Sequence, residues 1–266
     1  GPIDAVRPVI MWNDQRTADQ LEAIEAAAGG RRALTAVAGT RALAGFTLPK
    51  ILWVREHEPE LFARVRSFTC PKDFVRLQLT GDLAIDVSEA AGSLLLDVPA
   101  RRWNRPLAES LGLDPAILPP VFESCAVAGR VSLWAAAATG LREGIPVVAG
   151  AGDNQCGAAG SGVVREGLVL ATLGTSGVIY AHAGEPRADT RPAHEPDCGR
   201  AHLMCAADGT AEAPGGWSIT GCVLSAAGAL QWAREVIAPT VPYDVLMHEA
   251  SLAPPGCEGL RFLPHL

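Results

Sequence analysis

Residues 146–162, PVVAGAGDNQCGAAGSG, constrain the fold more than any other stretch. The apolar run 146–150 reads as a buried strand, and it leads directly into a glycine turn and a helix of small residues. Strand, tight turn and helix in immediate succession form the repeating unit of an α/β fold. In such folds side chains at the carboxyl end of a strand face the ligand crevice. Gly150 and Gly152 bracket the strand end, and Gly157 and Gly160 are expected to let the helix pack closely. The polar pair Asp153-Asn154 falls at that turn. A carboxylate there could take a proton from a substrate hydroxyl. The plainer alternative is that Asp153 only caps the helix.

The rest of the chain alternates in the same way. Residues 9–12 read as a strand, and Asn13-Asp14 as the cap of an amphipathic helix with Leu21, Ile24 and Ala28 on one face, ending at Gly29-Gly30. Helices are expected over 49–57, 60–65 and 71–79, the last closed by Thr80-Gly81. Two β-rich runs, 168–173 and 178–182, flank Gly174-Thr175-Ser176-Gly177 and predict a hairpin. That turn offers successive N–H groups and two hydroxyls, the equipment of a phosphate-cradling nest, although such a turn can equally be an ordinary one. A loop over 184–200, a strand over 202–206 and a long helix over 218–236 follow. The Gly-flanked LREGIP segment, where the texture changes, divides the chain into 1–143 and 144–266.

Composition narrows the function classes. With 22 Lys+Arg against 29 Asp+Glu, the net charge of −7 argues against general nucleic-acid binding and against adsorption to anionic membranes. No run approaches the ~18 apolar residues of a membrane span. The seven cysteines are odd in number and lack C-x-x-C spacing, which predicts free thiols buried as small hydrophobes in a reducing cytoplasm. His194, Cys198, His202 and Cys205 form the one metal-like group, but their spacing matches no compact zinc arrangement. Gln155 stands where G-x-G-x-x-G needs its third glycine, neither lysine (Lys50, Lys72) follows a phosphate loop, and GTSG does not fit G-x-S-x-G.

Read together, VIMWNDQRT, GFTLPKILWVREHEPELFARV, CPKDFVRLQLTGD, SEAAGSLLLDV, PVVAGAGDNQCGAAGSGVV, LATLGTSGVIY, ITGCVLSAAGALQWARE and PPGCEGLRFLPHL resemble the FGGY family of carbohydrate kinases, most closely its xylulose-phosphorylating branch. The resemblance implies an α/β fold of actin-like, ribonuclease-H-like ATPase domains, with 1–143 from the N-terminal, sugar-binding domain and 144–266 from the first part of the C-terminal, catalytic one. It implies transfer of the γ-phosphate of ATP, with Mg²⁺, to a sugar hydroxyl, D-xylulose giving D-xylulose 5-phosphate. Ribulose, glycerol or gluconate are the alternative acceptors, and a non-catalytic fragment that only binds sugar or nucleotide is the alternative role. By the same resemblance Asp153 is the general base and meets Mg²⁺ through water. Asn154, Trp12 and Asp14 bind the sugar, and Gly174, Thr175 and Ser176 hold the nucleotide phosphates. The implied partners are a sugar and ATP, with no nucleic acid and no membrane, in a cytoplasmic protein for which a homodimer is the assembly considered.

The departures from the family pattern are at the ends. No D-x-G-T strand turn or Met-His-Gly segment precedes Val9, and the chain stops at FLPHL, before the family's G-E-R-T-P. The expectation is therefore a central fragment, poorly stable and inactive by itself.

Overall fold

Proline and glycine punctuate the helices of the first half of the chain. In the computed structural model, which describes residues 4–192, 194–195 and 198–263, the helices of this part are α1 (Leu21–Ala27), α2 (Arg31–Ala38), α3 (Thr47–His57), α4 (Pro59–Phe62), α5 (Pro71–Thr80), α6 (Val87–Ala91), α7 (Arg105–Ser110), α8 (Leu133–Thr139) and α9 (Asp153–Gly160). Helix α5 begins on Pro71, whose missing N–H costs nothing at the first helical position, and ends on Gly81 in the left-handed region at φ 80°.

Short strands separate these helices: β1 (Ile85–Asp86), β2 (Leu96–Asp97), β3 (Arg102–Trp103), β4 (Val121–Phe122), β5 (Val127–Arg130) and β6 (Pro146–Val148). β1 and β4 pair in parallel; β2–β3 and β5–β6 pair antiparallel, the last with a bulge between Val127 and Gly129. The largest sheet follows, with β7 (Val169–Leu173), β8 (Gly177–Ala183), β9 (His202–Cys205) and β10 (Trp217–Val223) in the order β7-β8-β10-β9. Two helices end the chain, α10 (Ala227–Ile237) and α11 (Tyr243–Ser251). Among the described residues no helix is long and apolar enough to cross a membrane.

Packing divides the chain into two units. Unit 1 takes the described residues through Val169 together with Tyr180–Thr220, and unit 2 takes Leu170–Ile179 and the described residues from Gly221 onward. This division falls at other positions than the texture change at 142–145, across which β5 pairs with β6. Unit 1 holds a core in which Ile24, Leu34, Leu48, Leu52, Leu95 and Leu107 pack α1, α2, α3 and α7 together. A second cluster joins Ile85, Val87 and Leu96 to Leu203 and Cys205 of β9. In unit 2, α10 and α11 bury no residue.

Four local expectations fail. Residues 9–12 form no strand: among the described residues they have no pairing partner, and Val9, Met11 and Trp12 are exposed. Asp14 does not cap a helix, because α1 starts later, after a 3-10 turn at Ala18–Gln20. The strand β6 exists but is largely exposed, and among the described residues β5 is its one paired neighbour. Most instructively, 218–223 is strand rather than helix. Its β-branched Ile219, Thr220 and Val223 suit a strand flanked on both sides, and the helix begins only at Ala227.

Candidate active site

The turn from β6 into α9 is built from backbone and secured from below. Gly150 takes φ 81°, which an L side chain adopts only at a cost. The N–H of Ala149 donates to Ala126 O and that of Gly150 to Ser124 O, both at 2.9 Å. Gly152, not Asp153, is the N-cap of α9, and no side chain caps the helix. The capping alternative for Asp153 is thereby removed. Its carboxylate accepts the N–H of Asn154 at 2.7 Å, and both side chains are exposed. Gly157 and Gly160, expected to allow close helix packing, face open space. The close approach is instead at Gly152, where an added Cβ would lie 2.7 Å from Gln155 Oε1.

Below this turn lies a buried polar network that sequence reasoning missed. Asp86, fully buried, caps α6 by accepting the N–H groups of Ser88 and Glu89. Its Oδ2 also accepts the hydroxyls of Ser88 at 2.5 Å and Ser124 at 3.1 Å, and its Oδ1 pairs with Lys72 Nζ at 2.7 Å. Lys72 Nζ further contacts Asp73 Oδ1 at 2.6 Å and donates to Ala149 O at 3.2 Å. Arg76 Nη1 reaches Ala149 O at 2.8 Å and Asp73 at 2.7 Å, while Nη2 bonds Ala84 O. The hydroxyl of Ser88 accepts the N–H of Gly152 at 2.9 Å. A small patch of Ala84, Ala128 and Ala149, with Phe122 against it, fills the space beside this network.

Burial alone would lower the Lys72 ammonium, but the facing carboxylates of Asp86 and Asp73 outweigh it and hold its pKa above the usual lysine range. Burial pushes Glu89 up, against the pull of Lys72, and likewise pushes up the thiol of Cys70 beside it. The signal in the sequence was the scarcity of lysine: Lys50 and Lys72 are the only two among 22 basic residues. A compact ammonium with three donors suits a buried carboxylate cluster in a way that surface arginines do not.

The other lysine, Lys50, bonds to Gly45, which lies against Trp12, and feels the charge of Asp14. The Lys50 ammonium donates to Gly45 O at 2.7 Å, and Gly45 lies against the Trp12 carbonyl, where a Cβ would stand 2.7 Å from the oxygen. Half-burial lowers the pKa of Lys50, opposed by the charge of Asp14 and by Cys70. Asp14 pairs with Arg16 at 2.8 Å; hydrogen bonds from that residue hold its carboxyl below the usual range. Trp12 is 64% exposed, so it is not a core residue.

In unit 2, Gly174, Thr175 and Ser176 are all exposed between β7 and β8. The N–H of Gly174 donates to Ser176 O at 2.9 Å, so one amide of the expected nest is used inside the turn. The carbonyls of Gly174 and Thr175 accept N–H groups from Ala226, Ala227 and Gly228 at the start of α10. Thr175 and Ser176 keep their hydroxyls at the surface.

The cysteines are free, but only Cys70, Cys198 and Cys205 are buried; Cys125, Cys156, Cys222 and Cys257 are exposed, on surfaces that no described layer covers. Burial pushes the Cys205 thiol up to about 12. His202 is held by Thr40 Oγ1 at 2.8 Å and stacks on Phe46. Among the described residues no group of three or more His, Cys, Asp and Glu could hold a metal ion.

Against known proteins, residues 4–160 match the N-terminal domain of the FGGY family of carbohydrate kinases. The chain is 36% identical over 261 residues to the xylulose kinase of Bacillus subtilis (strain 168), covering 98% of this chain and 50% of that protein. It is also 36% identical over 262 residues to the xylulose kinase of Escherichia coli (strain K12), again covering 98% and 50%. The crystal structure of xylulose kinase from Rhodospirillum rubrum superposes with a TM-score of 0.82 at 27% identity, over 97% of this chain and 51% of that one. The chain thus spans about half the length of the curated relatives it matches.

Proposed function

The chain belongs to the FGGY family of carbohydrate kinases, and from that premise we propose that it takes part in ATP-dependent phosphorylation of a ketose, D-xylulose to D-xylulose 5-phosphate, with Asp153 as general base. Its α/β fold is that of the actin-like ATPases to which these sugar kinases belong. The observation that carries the reading is Asp153 itself: an exposed carboxylate on the first residue of α9, excused from capping and presented by a glycine turn.

Phosphoryl transfer asks little covalent chemistry of a protein, so positioning and electrostatics account for most of the acceleration. Asp153 would accept the proton of the attacking sugar hydroxyl, and Asn154 beside it would hydrogen-bond the sugar. Trp12 would offer its exposed ring as an apolar wall, and Asp14 would accept from sugar hydroxyls. Gly174, Thr175 and Ser176 are assigned to the nucleotide phosphates, where the two surface hydroxyls can donate. Mg²⁺ binds through one or two carboxylates and keeps waters and phosphate oxygens as its other ligands. A single exposed carboxylate fits that habit, so Asp153 would meet the ion through water. When bound, the ion neutralises charge on the phosphates. The reading also keeps 1–143 as the sugar-binding domain and 144–266 as the first part of the catalytic one, on the strength of the Gly-flanked LREGIP segment.

The test is xylulose-dependent ADP release by the complete protein. Asp153→Asn is expected to lower kcat by about 10²–10⁴-fold; a variant as fast as the parent would rule Asp153 out as base. Thermal shift with xylulose, ribulose, glycerol and gluconate reports the acceptor: stabilisation by xylulose alone is the expected result, and a response only to another of the four would reassign the substrate.

A further inference from the structure

The Asp153 carboxylate accepts the N–H of its neighbour Asn154 and is exposed, so its placement depends on the turn that precedes it. That turn is held by side chains at residue 149, through Lys72 and Arg76, and at residue 152, through the Ser88 hydroxyl. The hydroxyl works in both directions: it donates to the buried Asp86 carboxylate at 2.5 Å and accepts from the N–H of Gly152 at 2.9 Å. Its direction is therefore set by Asp86, which is itself fixed by the ammonium of Lys72 and the hydroxyl of Ser124.

We propose that Ser88 is a positioning residue for the phosphoryl-transfer reaction, relaying the fixed geometry of the buried Asp86–Lys72 pair to the Gly152 amide and so to Asp153. The bland reading of Ser88 is a residue of the first turn of α6 that satisfies its own cap. That reading explains the bond to Asp86 but not the second bond, which spans 64 residues to the N–H of Gly152, the residue before Asp153. Near-attack placement is sensitive to displacements on the order of 1 Å, which the loss of this one contact would permit.

The inference rests on the assignment of Asp153 as base, and the test separates the two. In the complete protein, Ser88→Ala is expected to lower kcat about tenfold while the KM for the sugar stays within about twofold of the parent. In an Asp153→Asn background the same substitution is expected to add no further loss, because the group it positions is gone. Amide hydrogen exchange over 149–154 is expected to accelerate in Ser88→Ala, with α3 and α5 unchanged. An equal fold-loss in both backgrounds, or unaltered exchange at Gly152, overturns the proposal. Should Asp153→Asn retain the parental rate, the base assignment fails by itself, and faster exchange at Gly152 still upholds Ser88 as the anchor of the turn.

Discussion

Gly150-Ala151-Gly152 and Gly174-Thr175-Ser176 share a small-residue texture, and both read from the sequence as places where a ligand could approach. The first is tied by side chains: Ser88, Lys72 and Arg76 bond to it, and the buried carboxylate of Asp86 holds Ser88 and Lys72. The second holds to the peptide groups of residues 226–228 through its own carbonyls. Backbone anchoring tolerates almost any side chain, whereas a buried ionic network depends on each member's identity. The two turns should therefore answer substitution very differently.

The largest difference is expected at the hub. Asp86→Ala leaves the Lys72 ammonium short of a buried partner and orphans the hydroxyls of Ser88 and Ser124, a loss of about 3–5 kcal/mol by denaturant unfolding. Thr175→Ala, at an exposed position, should stay within about 0.5 kcal/mol. If the two variants unfold at the same denaturant concentration, the contrast between the turns is broken. A smaller gap separates the glycines. Gly150→Ala forces a side chain into φ 81° and should cost about 1–2 kcal/mol. Gly174 has no such φ, and its nearest foreign atom is 3.7 Å from an added Cβ, so Gly174→Ala should cost only a few tenths. Melting temperatures of the pair measure this directly.

The smallest effect concerns acid. Burial, with help from the charge of Arg41, lowers the pKa of His202 in unit 1. The stability gained by keeping that imidazole neutral is complete above the unfolded pKa near ~6.5 and is lost as pH falls through the lower folded value. Melting temperature should therefore drop as pH falls below about 6.5, and His202→Gln should flatten that drop. An unchanged slope in the variant would assign the acid sensitivity elsewhere and weaken the picture of unit 1 as the region governed by specific side chains.

Much of this was legible beforehand, but unevenly. The ends of α5 were readable because proline and glycine act within a residue or two of themselves. The hairpin of β7 and β8 was readable from its glycine turn, and the strand, turn and helix around Asp153 from their unbroken succession. Residues 218–223 were not, because SITGCV is apolar enough for either state and only its neighbours β8 and β9 decide between them. The network below the turn was missed for a similar reason. Lys72 and Asp86 lie on separate elements, as do Ser88 and Gly152, and nothing in their local spacing joins them.

By itself, the sequence determined the family, the α/β alternation and the position of an acidic residue at a glycine-bracketed strand end, since each depends on short-range pattern. The tertiary structure alone decided that Asp153 is not a helix cap, that Lys50 bonds to Gly45 beside Trp12, and that the turn before Asp153 hangs from a buried carboxylate. Those outcomes depend on which distant groups share a desolvated space. There the cost of an unpaired charge or amide selects partners that no local pattern specifies.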